Sequence, residues 1–105
     1  MDAVQVSKIA QLNDRFRGMA IDVMLTPGVI DGVSDVIGLL KAVESFDRFT
    51  EDNDPYGEHD FGSLLWHGEK IFWKIDYYDT QLKGWCDPLD PECRRVMTVM
   101  LASEY

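Results

Sequence analysis

Residues 51–78 read EDNDPYGEHDFGSLLWHGEKIFWKIDYY and join an acidic, turn-rich loop to two runs of aromatic and β-branched residues. The runs, Phe61–Trp66 and Lys70–Tyr78, are separated by His67-Gly68-Glu69, which predicts a β-hairpin turning at His67-Gly68. Alternate residues of the second run form an apolar face for the core and a mixed face for solvent or a partner. The apolar face consists of Ile71, Trp73, Ile75 and Tyr77, and the mixed face of Lys70, Phe72, Lys74, Asp76 and Tyr78.

The segments before the hairpin predict two helices and one strand. Residues 4–17 place apolar side chains every three to four positions, which indicates an amphipathic helix. Residues 19–25 alternate as a half-buried strand does, and Pro27-Gly28 predicts a turn. Ser34 is a suitable N-cap for a second helix, which we expect to end by about Phe49 because turn-forming residues follow.

The segment after the hairpin predicts a loop over residues 80–90 and a final helix over residues 91–103. Asp90-Pro91-Glu92 has the residue types preferred at a helix N-terminus, with Asp90 as the N-cap. Replacing Asp90 with Ala should then cost about 1 kcal/mol through the lost cap. The buried face of this helix would consist of Val96, Met97, Met100 and Leu101.

These elements predict one α+β domain over residues 1–105. We expect two layers, with about three helices packed on a small, mostly antiparallel, three-stranded sheet in the order α-β-α-β-β-α. A chain of 105 residues with 46% apolar residues is long and apolar enough to fold on its own core.

The charge pattern limits the partners. Nineteen acidic residues against ten basic ones give a net charge of −9. Seven acids lie between residues 44 and 60 and five more between residues 76 and 92. Such clusters argue against direct binding of nucleic acid or an anionic membrane, both of which require basic surfaces. They favour a basic protein partner or a cation.

The N-terminus has no apolar block typical of a signal peptide, so we expect a cytoplasmic protein. Cys86 and Cys93 are expected to be free thiols, because a reducing compartment disfavours a disulfide. Their spacing also matches no zinc motif. The oligomeric state is not predicted.

The motifs DNDPYGEHDFG at 52–62 and FWKIDYYD at 72–79 resemble those of a small bacterial single-domain family of unknown function. The stretches DRFR at 14–17 and DPLDPE at 87–92 extend the resemblance over nearly the whole chain. The resemblance implies a free-standing bacterial domain, whose relatives lie among mobile-element genes, and it implies no catalytic residue.

One interpretation of the acidic loop is a divalent-cation site. Carboxylates alternate along a turn that contains Gly57, as hard cations require. The match to a calcium loop then fails, because Tyr56 and Ser63 occupy positions where oxygen ligands are needed. The predicted ligands are Asp52, Asp54, Glu58, His59 and Asp60.

Catalysis and a purely structural loop are the other interpretations. His59 between two acids could act as a general base with hydrolytic activity, but no phosphate loop or nucleophile motif completes a site. Alternatively, Asp and Asn side chains cap turns, and His59 forms a hydrogen bond within the loop.

Our leading hypothesis is a non-enzymatic module that presents acidic side chains to a basic protein. The two acidic clusters could imitate a patch of DNA a few phosphates wide, so an inhibitor of a CRISPR or restriction complex fits this chemistry. No cofactor is expected. The predicted partner-binding residues are Glu51, Asp52, Asp54, Glu58, Asp60, Asp76 and Asp79.

Overall fold

A computed structural model describes residues 1–105 and contains three α-helices and a four-stranded mixed sheet. The helices are α1 (Ala3–Met19), α2 (Pro27–Gly32) and α3 (Val36–Glu44). The strands are β1 (Val23–Leu25), β2 (Phe61–Trp66), β3 (Glu69–Tyr78) and β4 (Arg94–Leu101), and a short 3₁₀ turn spans Ala102–Glu104. The α+β class is therefore confirmed.

The strands lie in the order β1-β4-β3-β2, and only the β1–β4 pair is parallel. The predicted hairpin is confirmed, with Trp66 opposite Glu69 at its turn. The prediction of three strands is wrong, because β4 supplies a fourth and pairs with both β3 and β1.

The predicted C-terminal helix over residues 91–103 is the main error. Val96, Thr98 and Val99 are β-branched and favour a strand, in which the residues at 97 and 99 are buried beside β3. Asp90 does not cap a helix. Its carboxylate accepts the Glu92 N–H at 2.9 Å and closes a tight turn before β4.

Smaller differences concern the N-terminal half. The strand predicted at residues 19–25 covers only β1, because α1 continues to Met19. The Pro27-Gly28 turn is the first turn of α2, which begins with proline. Helix α3 begins after Asp35, whose carboxylate accepts the Gly38 N–H, and it ends at Glu44, five residues before the predicted end.

The core lies between the helices and one face of the sheet. Trp73, in the middle of β3, is fully buried, and Gly62 on β2 leaves room for its indole ring. The other sheet face is partly exposed, and Tyr105 packs there on Phe61 and Phe72. The fully buried apolar side chains are Ile9, Val29, Leu39, Val43, Ile71, Trp73, Met97 and Val99. None of the helices has the length and apolar character needed to cross a membrane.

Candidate functional site

The acidic loop at residues 51–60 has a defined shape. Asn53 holds its start, because its side chain accepts the Thr50 N–H and donates to the Arg48 carbonyl. Gly57 and His59 both adopt positive φ angles, of 72° and 57°, which reverse the chain toward β2. The loop therefore orients its carboxylates in fixed and different directions.

Four side chains on the helix side of this loop form what we call the inner cluster: Asp14, Arg17, Asp54 and His59. The Asp54 carboxylate is buried and accepts the His59 N–H at 3.2 Å. His59 Nδ1 lies 3.0 Å from Asp14 Oδ1, and the imidazole stacks on Phe49 with ring centroids 3.9 Å apart. Asp54 and His59 thus bind the loop to α1.

Arg17 is the most deeply buried member of the inner cluster and joins it to the core. Its guanidinium donates to Asp14 at 3.0 Å and to the Phe46 carbonyl at 2.9 Å, and it lies 4.9 Å from the Trp73 ring centroid. Only 4% of Arg17 is exposed. The guanidinium is satisfied only in part, because its Nε and Nη1 atoms are buried without a hydrogen-bond partner. Its removal would nevertheless be costly, since the Asp14 carboxylate and the Phe46 carbonyl would lose this donor.

A buried asparagine fixes Glu58. Asn13 donates to the Glu58 carbonyl and to the Tyr77 hydroxyl, each at 2.9 Å. Asn13 also accepts from Arg95 at 2.6 Å, and the Tyr77 hydroxyl donates to the Glu58 carboxylate at 3.2 Å. Burial raises the pKa of Tyr77, so its hydroxyl keeps its proton and remains a donor.

Sequence reasoning missed the contribution of α1 to both groups. Asn13 and Arg17 were not predicted as site residues, although they lie one helical turn apart on the face that also buries Ile9 and Phe16. Polar residues on the apolar face of a helix were the available signal. The helical spacing alone left Leu12 and Asn13 as alternatives, and Asn13 is the buried one.

The five predicted metal ligands have different neighbours. Asp54 and His59 belong to the inner cluster, Glu58 accepts from Tyr77, and Asp52 is exposed. No group of three or more His, Cys, Asp or Glu side chains has an arrangement suited to a metal ion. The metal interpretation therefore has no geometric support.

A second group of acids lies at the edge of the sheet. Along one edge of β3, pairing with β2 begins at Lys74, and Trp85 pairs with Tyr78 further along the same edge. A gap therefore remains on this edge between Asp60 and Trp85. We call this gap the notch. It has a volume of about 430 Å³ and is lined by Asp60, Ile75, Asp76, Tyr77, Tyr78, Lys83, Gly84 and Trp85.

An adjoining cleft of about 300 Å³ shares Asp60, Ile75 and Asp76 with the notch. Exposed aromatic side chains border both depressions: Trp85 is 72% exposed at the notch, and Tyr56 and Tyr105 are 79% and 76% exposed at the cleft. The exposure of Trp85 and Tyr105 beside the acids was not predicted from the sequence.

Electrostatics distinguish the two acids of the notch. Asp76 forms an ion pair with Lys74 at 3.0 Å, and this hydrogen bond raises the pKa of Lys74. The ion pairs of the molecule do not include Asp60. Burial, and then the neighbouring charge of Glu58, raise the pKa of Asp60 to about 6. Perturbed carboxyl groups of this kind are enriched at functional sites.

The structure thus divides the seven predicted partner-binding acids. Four of them lie close together, since the charges of Glu58, Asp54 and Asp76 all raise the pKa of Asp60. Asp79 is used internally, because its carboxylate accepts the backbone N–H groups of Gln81 and Lys83. Glu51 and Asp52 are exposed at the start of the loop.

A protein-family model described as "Protein of unknown function (DUF3768)" matches residues 25–104. The match includes the notch residues but not α1. Comparisons with curated proteins and with solved structures gave no match. The family model covers most of the 105 residues, and the chain therefore belongs to the DUF3768 family of proteins of unknown function.

Proposed function

We propose that this protein is a non-enzymatic module that binds a basic protein through the notch and the adjoining cleft. The observation that carries the proposal is the meeting of two acidic segments, distant in sequence, at Asp60 and Asp76. Asp60 comes from the loop before the hairpin and Asp76 from its second strand. Their carboxylates lie in depressions that exposed aromatic rings border.

Two physical arguments support this function. Exposed tryptophan and tyrosine side chains on ordered surfaces are the usual anchors of protein interfaces, because they bury a large area at low entropic cost. A net charge of −9 also accelerates association with a positively charged surface and disfavours acidic partners.

The partner class that we propose is a nucleic-acid-handling complex of the CRISPR or restriction type, which this protein would inhibit. Such complexes carry arginine and lysine side chains along the groove that holds the phosphate backbone. The acidic surface formed by the notch and the adjoining cleft would occupy a short part of that groove. The alternative, a divalent-metal site with hydrolytic activity in the DNDPYGEHD loop, stays a prediction that no observation favours.

The test uses a labelled oligo-arginine peptide as the probe and fluorescence anisotropy as the readout. We expect binding that weakens as salt is added, because screening shortens the range of the attraction. The double variant Asp60→Asn/Asp76→Asn should weaken it by roughly tenfold or more, since hydrogen bonds to charged groups contribute about 1.5–3 kcal/mol. An oligo-glutamate peptide of the same length should not bind.

The matched control is Asp31→Asn/Glu69→Gln, which makes the same change in net charge. Both residues are exposed, and Glu69 lies at the hairpin turn, at the other end of β3 from Asp76. The control should retain the affinity of the unmodified protein. Equal losses in both double variants would mean that total charge, and not this site, attracts the peptide, and the proposal would then fail.

A further inference from the structure

We propose that the notch accepts an arginine side chain of the partner and that its binding requires the ionised form of Asp60. This inference rests on the proposed function and specifies the group that is recognised and the pH range of recognition. Three independent features of the notch support it: its backbone edge, its charge balance and its aromatic wall.

The backbone edge supplies an acceptor. The Ile75 N–H donates to the Asp60 carbonyl at 2.8 Å, and the Cys86 N–H donates to the Tyr77 carbonyl at 3.4 Å. The N–H and C=O groups of one residue in an antiparallel strand point to the same edge, so the Ile75 carbonyl also faces the notch. A donor with several N–H groups could contact this carbonyl and the Asp60 carboxylate together.

Among the acids at and beside the notch, Asp60 alone has neither a cation nor a hydrogen-bond donor from another residue. Lys74 neutralises Asp76, the Tyr77 hydroxyl donates to Glu58, and backbone amides occupy Asp79. Asp60 has no ion-pair partner, and Lys83, which also lines the notch, is exposed. A cation from the partner is the group that would match this carboxylate.

The aromatic wall favours arginine over lysine. Trp85 lines the notch, a β-bridge to Tyr78 places it at one end, and the turn that carries it is fixed by the hydrogen bonds from the Gln81 and Lys83 N–H groups to Asp79. A guanidinium is planar, stacks on aromatic rings and donates in two directions at once, whereas an ammonium is a compact, strongly hydrated charge. The notch therefore has the donor and stacking partners of a guanidinium.

The ionisation of Asp60 sets the pH range. Its pKa is raised to about 6 by burial and by Glu58, Asp54 and Asp76, while Lys74 of β3 and Lys83 of the following loop are the nearby cations. A bound guanidinium competes with the proton, so affinity falls as the pH falls through 6. With this pKa the ionised fraction drops about tenfold between pH 7 and pH 5.

The experiment measures two otherwise identical peptides, each with a single arginine or a single lysine, by NMR titration with the backbone amide signal of Gly84, which lines the notch, as the reporter. We expect the arginine peptide to bind more tightly than the lysine peptide. We also expect its affinity to be about tenfold lower at pH 5 than at pH 7. Trp85→Ala should weaken it by about two- to fivefold and Trp85→Phe by less, which is the range of an exposed cation–π contact. Asp60→Asn should weaken binding at pH 7 and remove the pH dependence.

Equal binding of both peptides, or a pH dependence that persists in Asp60→Asn, would overturn the inference. Either result could occur while oligo-arginine binding is still weakened by the double variant Asp60→Asn/Asp76→Asn. The proposed function would then stand, but without selectivity for arginine. If oligo-arginine binding were itself insensitive to Asp60 and Asp76, the proposed function would fail as well. Thermal melting of each variant confirms that it is folded at the temperature of the titration.

Discussion

The inner cluster and the notch take carboxylates from the same loop and treat them in opposite ways. In the inner cluster, Asp54 accepts a backbone N–H, and Asp14 lies between Arg17 and His59. At the notch, six residues further along, Asp60 is half-buried among other acids and has no cation. In the first region the carboxylates accept from neighbouring residues, whereas in the second the Asp60 carboxylate has neither an ion-pair partner nor a donor from another residue.

This difference distinguishes the two regions more clearly than the density of acids does. A matched, buried charge contributes to one folded state and is costly to remove. An unmatched, half-buried carboxylate reduces stability, and selection retains such groups where they serve binding or catalysis. Substitutions in the two regions should therefore change stability in opposite directions.

The largest effect is expected for Arg17→Met. This change keeps most of the side-chain volume but removes the charge that Asp14, the Phe46 carbonyl and the Trp73 ring contact. We expect a loss of about 3 kcal/mol in the free energy of unfolding, measured by urea denaturation. The exposed neighbour Arg15→Met should change it by less than about 0.5 kcal/mol. Similar values for both would show that the inner cluster does not stabilise the fold.

Asp54→Ala should lower the free energy of unfolding by about 2 kcal/mol, because the His59 N–H would lose its charged acceptor in a buried place. Asp52→Ala, at an exposed position of the same loop, is the control and should be nearly neutral. Binding of oligo-arginine by folded Asp54→Ala should remain sensitive to Asp60. A destabilisation by Asp52→Ala as large as that by Asp54→Ala would remove the distinction between the two acids.

Asp60→Asn should act in the opposite direction and stabilise the protein at pH 7 by roughly 1 kcal/mol, a value reduced for solvent screening. The folded-state pKa of about 6 exceeds the ordinary 3.8, so the folded protein holds this proton more tightly than the unfolded chain. The unmodified protein should therefore lose stability as the pH rises from about 4 to about 6. Melting temperatures across this range test the contribution, which should be absent in Asp60→Asn. A lower melting temperature for Asp60→Asn at pH 7 would contradict an unmatched charge.

The smallest effect is expected for Asp90→Ala. Because Asp90 closes a turn and does not cap a helix, the change removes one exposed hydrogen bond to the Glu92 N–H. We expect a loss of about 0.5 kcal/mol by chemical denaturation. Far-UV circular dichroism should show no loss of helix, whereas a measurable loss would favour the helix that the sequence predicted for residues 91–103.

Local patterns were enough for the elements whose hydrogen bonds lie close in sequence. The hairpin was predictable because its two strands are joined by a short turn and alternate with period two. The first helix was predictable from its apolar spacing. Residues 94–101 were not, because Val96, Met97, Met100 and Leu101 have helical spacing, while Met97, Val99 and Leu101 of the same segment alternate as a strand does. Pairing with β3 and β1, distant in sequence, decided between the two.

The candidate site followed the same division. Sequence reasoning predicted Asp60 and Asp76 as partner-binding residues, but it could not separate them from Asp54 and Asp79, which accept hydrogen bonds from backbone N–H groups. Trp85 was missed because its exposure depends on where the loop after β3 crosses the sheet edge.

The amino-acid sequence by itself determined the acidic character, the hairpin with its two faces and the membership of an α+β class, since these depend on composition and on short-range periodicity. Tertiary structure alone decided which carboxylates are matched within the molecule and which one is not. A carboxylate is matched only if a donor or cation from another part of the chain lies within hydrogen-bonding distance, and that distance is set by the packing of α1 and the pairing of β3.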